Sequence, residues 1–317
     1  MTAARVGAAA ADWDSAVHAL GGHFLQSSAW QRVQKALGQQ VLHDRDETWA
    51  WTGPLRLGRF PRYLYLPYGP AAASLRDTFG SLQRAARDHH LDFVRIEPLT
   101  ADVSVLRAAG AVQVRPVQPR CTWVLDLQQS EDELRAGLSA GHRGSINAAG
   151  RRGLELSATN DPAAIEVLLG LQRTSTSAGG FPGQSAEYHR AEAAELMPGG
   201  DATLYVAEHD GAAVAAALCF DWFGVRYYAH AASDPVVGRK LGAAAPLVWR
   251  MILDARAAGH QLFDFWGVEP GAPPGHPWAG FTRFKMAFGG RLLERAGTWE
   301  IPARQLRHRL YRLAGRR

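Results

Sequence analysis

Leu262-Phe263-Asp264-Phe265-Trp266-Gly267-Val268-Glu269-Pro270 carries the reading that decides the fold. Leu262–Trp266 has the aromatic, apolar composition of a strand, and Glu269-Pro270 ends the run. Working outward, 243–258 reads as a helix, 233–242 as a loop and 225–231 as a strand. The same order stands earlier in the chain. Arg59–Pro67, with Phe60, Tyr63 and Tyr65, suits a strand, and Tyr68-Gly69-Pro70 breaks it. A helix from about Ser74 to His90 places Leu75, Phe79, Leu82 and Ala86 on one face, and Leu91–Glu97 is a strand closed by Pro98. The two Glu-Pro ends lie roughly 170 residues apart. Strand, loop, helix and strand, twice over in 317 residues, predict two similar α/β domains.

The remaining stretches fill in around these units. Ser27 or Ser28 caps a helix bearing Trp30, Val33 and Leu37, which Gly38 closes. Thr122–Leu127 alternates as a strand. Ser130-Glu131-Asp132-Glu133 then opens a helix through Leu134 and Leu138 toward Arg143, Ile146, Arg151 and Arg152. Asp210-Gly211 turns a hairpin between Thr203–Ala207 and Ala212–Trp222. The chain ends on a helix with Leu306, Leu310 and Leu313 on one stripe. That helix is expected to pack back on the first domain, with Arg304, Arg307, Arg309, Arg312, Arg316 and Arg317 solvated or facing RNA.

Composition narrows the class. The net charge of +5 tolerates polyanions without requiring them. Cys121 and Cys219 lie far apart with no metal spacing, His89-His90 are too close together for a zinc pair, and no metal site is read. Asp12 and Asp14 spoil a signal peptide, and no run of about 18 apolar residues occurs, so a cytoplasmic protein is expected. Neither a nucleophile elbow nor a P-loop nor a dinucleotide fingerprint is present.

The densest local pattern is Gly280-Phe281-Thr282-Arg283-Phe284-Lys285-Met286-Ala287-Phe288-Gly289-Gly290. Three phenylalanines fall on one helical face, and Gly289-Gly290 stops the helix. Lys285, one of only three lysines, projects about 40° from Phe281 at ~100° per residue. Its ammonium either snorkels past the rings to water or stands at a cleft wall to meet developing negative charge.

Phe-Lys-x-x-Phe-Gly-Gly, followed by Gly-x-Trp-Glu (Gly297 to Glu300), resembles the C-terminal signature of the FemABX peptidyltransferases. Further matches run in order along the chain: Gln-Ser-x-x-Trp (26–30), Tyr-Gly-Pro (68–70), the Glu-Pro strand end, the Phe-Pro loop (181–182) with its Tyr188, and Phe-Asp-Phe-Trp-Gly (263–267). The resemblance implies two tandem N-acetyltransferase-like (GNAT) domains of α/β (α+β) class, with mixed sheets flanked by helices and no coiled-coil arm. Residues 1–145, joined by the helix 300–317, would form the first domain and 146–299 the second. It also implies transfer of an amino acid from aminoacyl-tRNA to an amine of a UDP-linked or lipid-linked muropeptide. Such a protein would be a monomer, with no cofactor and with peripheral membrane association open.

By the same resemblance Lys285 is the catalytic cation, Phe284 shapes the pocket, and Lys35, Tyr68, Tyr188, Tyr228 and His230 bind substrate. Gln34 competes with Lys35 for the phosphate position, and His230 stands where relatives often have Tyr. Arg143, Arg151 and Arg152 would contact tRNA phosphates, or form a solvated face. Tyr228 and His230, two apart on one strand, are expected to line one cleft, unless they mark only the alternation of a half-buried strand.

A competing motif, Arg239-Lys240-Leu241-Gly242-Ala243-Ala244, resembles the pyrophosphate loop of acyl-CoA N-acetyltransferases, where a helix start binds an anion. An acyl-CoA-dependent N-acyltransferase is therefore the second reading, and a degenerate binding protein the third.

Overall fold

The computed structural model describes residues 3–100, 102–177, 184–273 and 275–314. Two compact units emerge: Met1–Arg120 with Glu294–Arg317, and Cys121–Leu293.

The first unit begins with helices α1 (Ala3–Ala19) and α2 (Ser28–Ala36) and strands β1 (Val41–Arg45), β2 (Trp49–Leu57), β3 (Arg62–Leu66) and β4 (Ala71–Ala72). Helix α3 (Leu75–Asp88), strand β5 (Phe93–Ile96), helix α4 (Ser104–Ala108) and strand β6 (Val112–Val114) follow. The second unit runs through β7 (Cys121–Asp126), α5 (Glu131–Gly137), α6 (Ala140–Ala148), β8 (Glu155–Thr159), α7 (Ile165–Ser177), α8 (Ala186–Leu196) and β9 (Ala202–His209). It continues with β10 (Ala212–Trp222), β11 (Val225–Ser233), α9 (Val237–Leu241), α10 (Ala244–Ala257), β12 (Leu262–Gly267), α11 (Ala279–Met286) and β13 (Arg291–Glu294). Strand β14 (Thr298–Pro302) and helix α12 (Gln305–Ala314) return to the first unit.

The repeated motif read from sequence is the centre of each sheet. In the first, β3 runs parallel to β5 with α3 between them; in the second, β11 runs parallel to β12 with α10 between them. The sheet orders are β1-β2-β3-β5-β14-β6, with β4 beside β2, and β13-β7-β12-β11-β10-β9-β8. In each, the strand that ends the parallel pair is flanked by an antiparallel strand from a distant part of the chain: β14 beside β5, and β7 beside β12. That exchange moves the boundary. The division expected after residue 145 falls at Arg120/Cys121, because β7 spends its backbone hydrogen bonds on β12. The return expected at residue 300 falls at Glu294.

Two helices depart from the sequence expectation. The helix expected from Ser130 to Arg152 is two helices, because Leu138 is extended and Ser139 caps anew by accepting from the His142 N–H. A 3₁₀ turn then carries Arg151 and Arg152. The second is α12. Its docked side is polar: His308 is buried against the Glu300 carboxylate at 2.7 Å, the Tyr311 hydroxyl meets Arg95, and Arg307 pairs with buried Asp92. The leucine stripe faces outward instead, with Leu306, Leu310 and Leu313 exposed at 71%, 53% and 63%. Buried carboxylates with imidazole and guanidinium partners decide which face packs, because an unpaired buried charge costs more than three exposed leucines.

Candidate functional site

Strands β11 and β12 pair only over Val225–Leu262, Arg226–Phe263 and Tyr227–Asp264. Beyond that point β12 turns off: Asp264 Oδ1 accepts the Trp266 N–H at 2.7 Å, Trp266 adopts a φ of +63°, and the pairing with β7 shifts register before Gly267. Strand β11 continues to Ser233, held on its other side by β10. A backbone edge from Tyr228 to Ser233 therefore faces a cavity of about 490 Å³. Among the described residues nothing pairs with the N–H and C=O groups along this edge, and such groups can receive an extended amide-bearing ligand as an added strand.

Helix α11 walls this cavity. The phenylalanines of this segment are graded by depth: Phe281 is half exposed and Phe284 partly buried on the helix, and Phe288, two residues past its end, is fully buried and stacked on Phe265 at 5.3 Å. Gly290 closes the turn against β7, with φ +96° and so little room that a Cβ would stand 2.3 Å from the Val124 carbonyl oxygen. Lys285 lies on the cavity wall with Phe281, Phe284, Tyr228 and Arg239. Its Nζ donates to the Gly267 carbonyl at 2.7 Å and sits 5.9 Å from the Tyr228 ring centroid. Burial lowers its pKa to about 8, with Asp264 pulling the other way.

Also lining the cavity, Arg239 lies on α9, and Gly242 caps that helix at φ +64° before α10 begins. Gly242 packs so closely on α6 that a Cβ would be 2.9 Å from Ser145 Oγ. Arg152 donates to the Leu241 carbonyl at 2.6 Å, tying this turn down.

Tyr228 and His230 do not share a cleft. Along β11, Tyr228 faces Cys219 and His230 faces Leu218, so Ala229 is an extra residue with no partner on β10. That β-bulge reverses the alternation. Tyr228 packs with the core under α10, while His230 turns to α8 on the opposite face. There His230 Nε2 lies 3.1 Å from Glu192 Oε1, and His189 Nδ1 lies 3.0 Å from Glu192 Oε2. Burial alone would raise the Glu192 carboxyl, but His230 and His189 hold it below its ordinary value. Tyr188 covers this group at 6.4 Å from the His230 ring, and Gln172, a cavity-lining residue, lies 3.1 Å from His189 Nε2.

Residues 140–285 match the family model of an acetyltransferase (GNAT) domain. Among solved structures, FemX superposes with a TM-score of 0.83 at 17% identity, covering 94% of this chain and 97% of that one. The C-terminal domain (DUF2156) of a putative lysylphosphatidylglycerol synthetase from Agrobacterium fabrum gives 0.64 at 15% identity, covering 95% of each. A tandem GNAT protein from the clavulanic acid biosynthesis pathway gives 0.53 at 17% identity, covering 91% and 92%. No curated protein sequence matches. The fold is FemX-like: two tandem GNAT-like units.

Within that FemX-like fold, Lys285, Phe284 and Tyr228 meet at one cavity, joined by Arg239 from the competing motif. Tyr188 and His230 gather around Glu192. Lys35 is exposed on α2, while its neighbour Gln34 is buried. Tyr68 is buried in the first unit, its hydroxyl donating to the Pro119 carbonyl and its ring set between His23 and the Arg295 guanidinium. Arg143 donates to the carbonyls of Arg135 and Ala136, and Arg151 is exposed. The Phe181-Pro182 pair lies outside the described residues. His189, Glu192 and Gln172 escaped the sequence reading. His-x-x-Glu places two ligand-type side chains on one helical face, but nothing local marks their partner on β11.

Proposed function

We propose that the protein is an aminoacyltransferase, moving an amino acid from aminoacyl-tRNA to an amine of a peptidoglycan-precursor peptide or a related peptide, in the cytoplasm. The observation that carries this is Lys285: an ammonium on the wall of a cavity bordered by a strand edge that no described residue pairs, with one hydrogen bond among the described residues, to Gly267. The aminoacyl ester arrives activated, so positioning two substrates supplies much of the rate. The acceptor amine attacks the ester carbonyl and a C–N bond forms. The carbonyl oxygen gains negative charge opposite Lys285 Nζ, where low water content strengthens the interaction. The C–O bond to the ribose then breaks, and the proton lost by the amine leaves on the ribose oxygen. The FemX-like fold over nearly the whole chain supports this reading.

A second reading keeps its own support. The GNAT family match and Arg239 on α9, just before the turn into α10, suit an acyl-CoA donor, whose phosphates would meet Arg239 and the turn at Gly242. The deciding experiment incubates the protein with a radiolabelled aminoacyl-tRNA pool and a nucleotide-linked or lipid-linked muropeptide, with and without ribonuclease. Ribonuclease-sensitive label on the peptide, lost in Lys285→Ala, is the expected result. Transfer of label from acetyl-CoA instead, dependent on Arg239, would replace the first reading with the second. With a lipid-linked acceptor, the outward leucines of α12, flanked by Arg309 and Arg312, suit an anionic bilayer surface.

A further inference from the structure

Behind the cavity, His189, Glu192 and His230 gather, each offering one ligand-type atom within 4.8 Å of the other two. The two oxygens of Glu192 each face a different ring nitrogen, at 3.0 and 3.1 Å. Those spacings approach the edges of a coordination polyhedron with metal–ligand bonds of about 2.0–2.2 Å. His189 and Glu192 are buried, while the His230 side chain is 21% exposed and opens one side of the group to solvent. Two imidazoles and one carboxylate with an open side is a donor set for first-row divalent ions.

A further feature points the same way. The bulge at Ala229 turns His230 from the α10 face to Glu192, and bulges commonly re-aim a side chain in this manner. The Gln172 amide nitrogen lies 3.1 Å from the remaining nitrogen of His189; metal binding through Nδ1 moves the ring proton to Nε2, and the amide flips so that its oxygen accepts it.

We propose that His189, Glu192 and His230 form a binding site for a divalent first-row transition ion such as Zn²⁺, clamping α8 to β11. Glu192 supplies both carboxylate oxygens, His189 binds through Nδ1 and His230 through Nε2, and water fills the exposed position. The ion takes the place of the two ring protons that otherwise bridge to the carboxylate. Because Gln172 both touches His189 and lines the cavity, the bound ion also steadies one cavity wall. The site stands whether the cavity takes aminoacyl-tRNA or an acyl-CoA.

The test uses untagged, chelator-treated full-length protein titrated with Co²⁺ alone, followed by visible absorption and by calorimetry with Zn²⁺. One equivalent per chain is expected, with d–d bands of a low-coordinate nitrogen–oxygen site and a raised Tm. His230→Ala, at a partly exposed position, is expected to keep the native circular dichroism and to weaken binding at least about 100-fold. Glu192→Gln is expected to abolish it. Failure of the wild-type protein to take up an equivalent of either ion would overturn the proposal. So would uptake unchanged in the folded His230→Ala variant.

Discussion

Replacing Lys285 with methionine tests the cleft-wall ammonium in two independent ways. Burial lowers the Lys285 pKa from 10.5 to about 8. At 1.36 kcal/mol per pKa unit this corresponds to about 3 kcal/mol of strain on the charged form. The residue is only partly buried, so solvent screening trims the figure to about 2 kcal/mol. Methionine relieves that strain but leaves the Gly267 carbonyl without its donor, a loss of about 1 kcal/mol. Lys285→Met should therefore be more stable than wild type at pH 7 by about 1 kcal/mol, or about 2–4 °C in Tm.

The sign with pH follows from linkage. Between pH 8 and 10.5 the unfolded chain holds the lysine proton and the folded chain does not, so wild-type stability rises across that window. About half the strain is gone by pH 9.5, and the advantage of the variant should shrink to near zero there. Thermal unfolding of both proteins from pH 7 to 9.5, read by circular dichroism, measures this. The same variant should lose about 10²–10³-fold in kcat, the usual cost of removing one oxyanion donor. A variant less stable than wild type at pH 7, or a Tm difference that does not change with pH, would refute the account of Lys285.

Three further expectations concern other parts of the molecule. Transfer activity should fall as pH rises through about 8, where Lys285 loses its proton, and Lys285→Arg should shift that limb upward if it retains activity; a pH–kcat profile decides. In α12, serine at Leu306, Leu310 and Leu313 together should leave Tm within about 1 °C but weaken flotation with anionic vesicles, whereas His308→Ala should cost about 1–3 kcal/mol by leaving Glu300 Oε2 without its imidazole partner while Arg95 still holds Oε1. Gly290→Ala should cost more than about 3 kcal/mol in denaturant unfolding, because the new Cβ meets the Val124 carbonyl and the backbone lies at positive φ.

Local pattern made much of this protein legible. The doubled strand–loop–helix–strand order is a matter of hydrophobic period and turn residues, and it sits where it was read, as β3-α3-β5 and β11-α10-β12. The Phe-Lys-x-x-Phe-Gly-Gly segment likewise announced a short helix, its glycine stop and an ammonium among rings. In each case the cause is carried by neighbours within a few residues, so the amino-acid order suffices.

Other features depend on partners distant in the chain. The outward turn of the α12 leucines follows from buried Glu300 and Asp92, which recruit His308 and Arg307; helical periodicity alone favours the opposite face. The boundary at Arg120 follows from β7 finding its hydrogen-bond partner in β12, more than a hundred residues later. The reversal of His230 follows from one unpaired residue, Ala229, whose place is defined only by register against β10. Sequence by itself determined most of the elements and the two-unit plan. Only the tertiary structure, by setting register and choosing which face is covered, brought His230 to Glu192 and opened the strand edge beside Lys285.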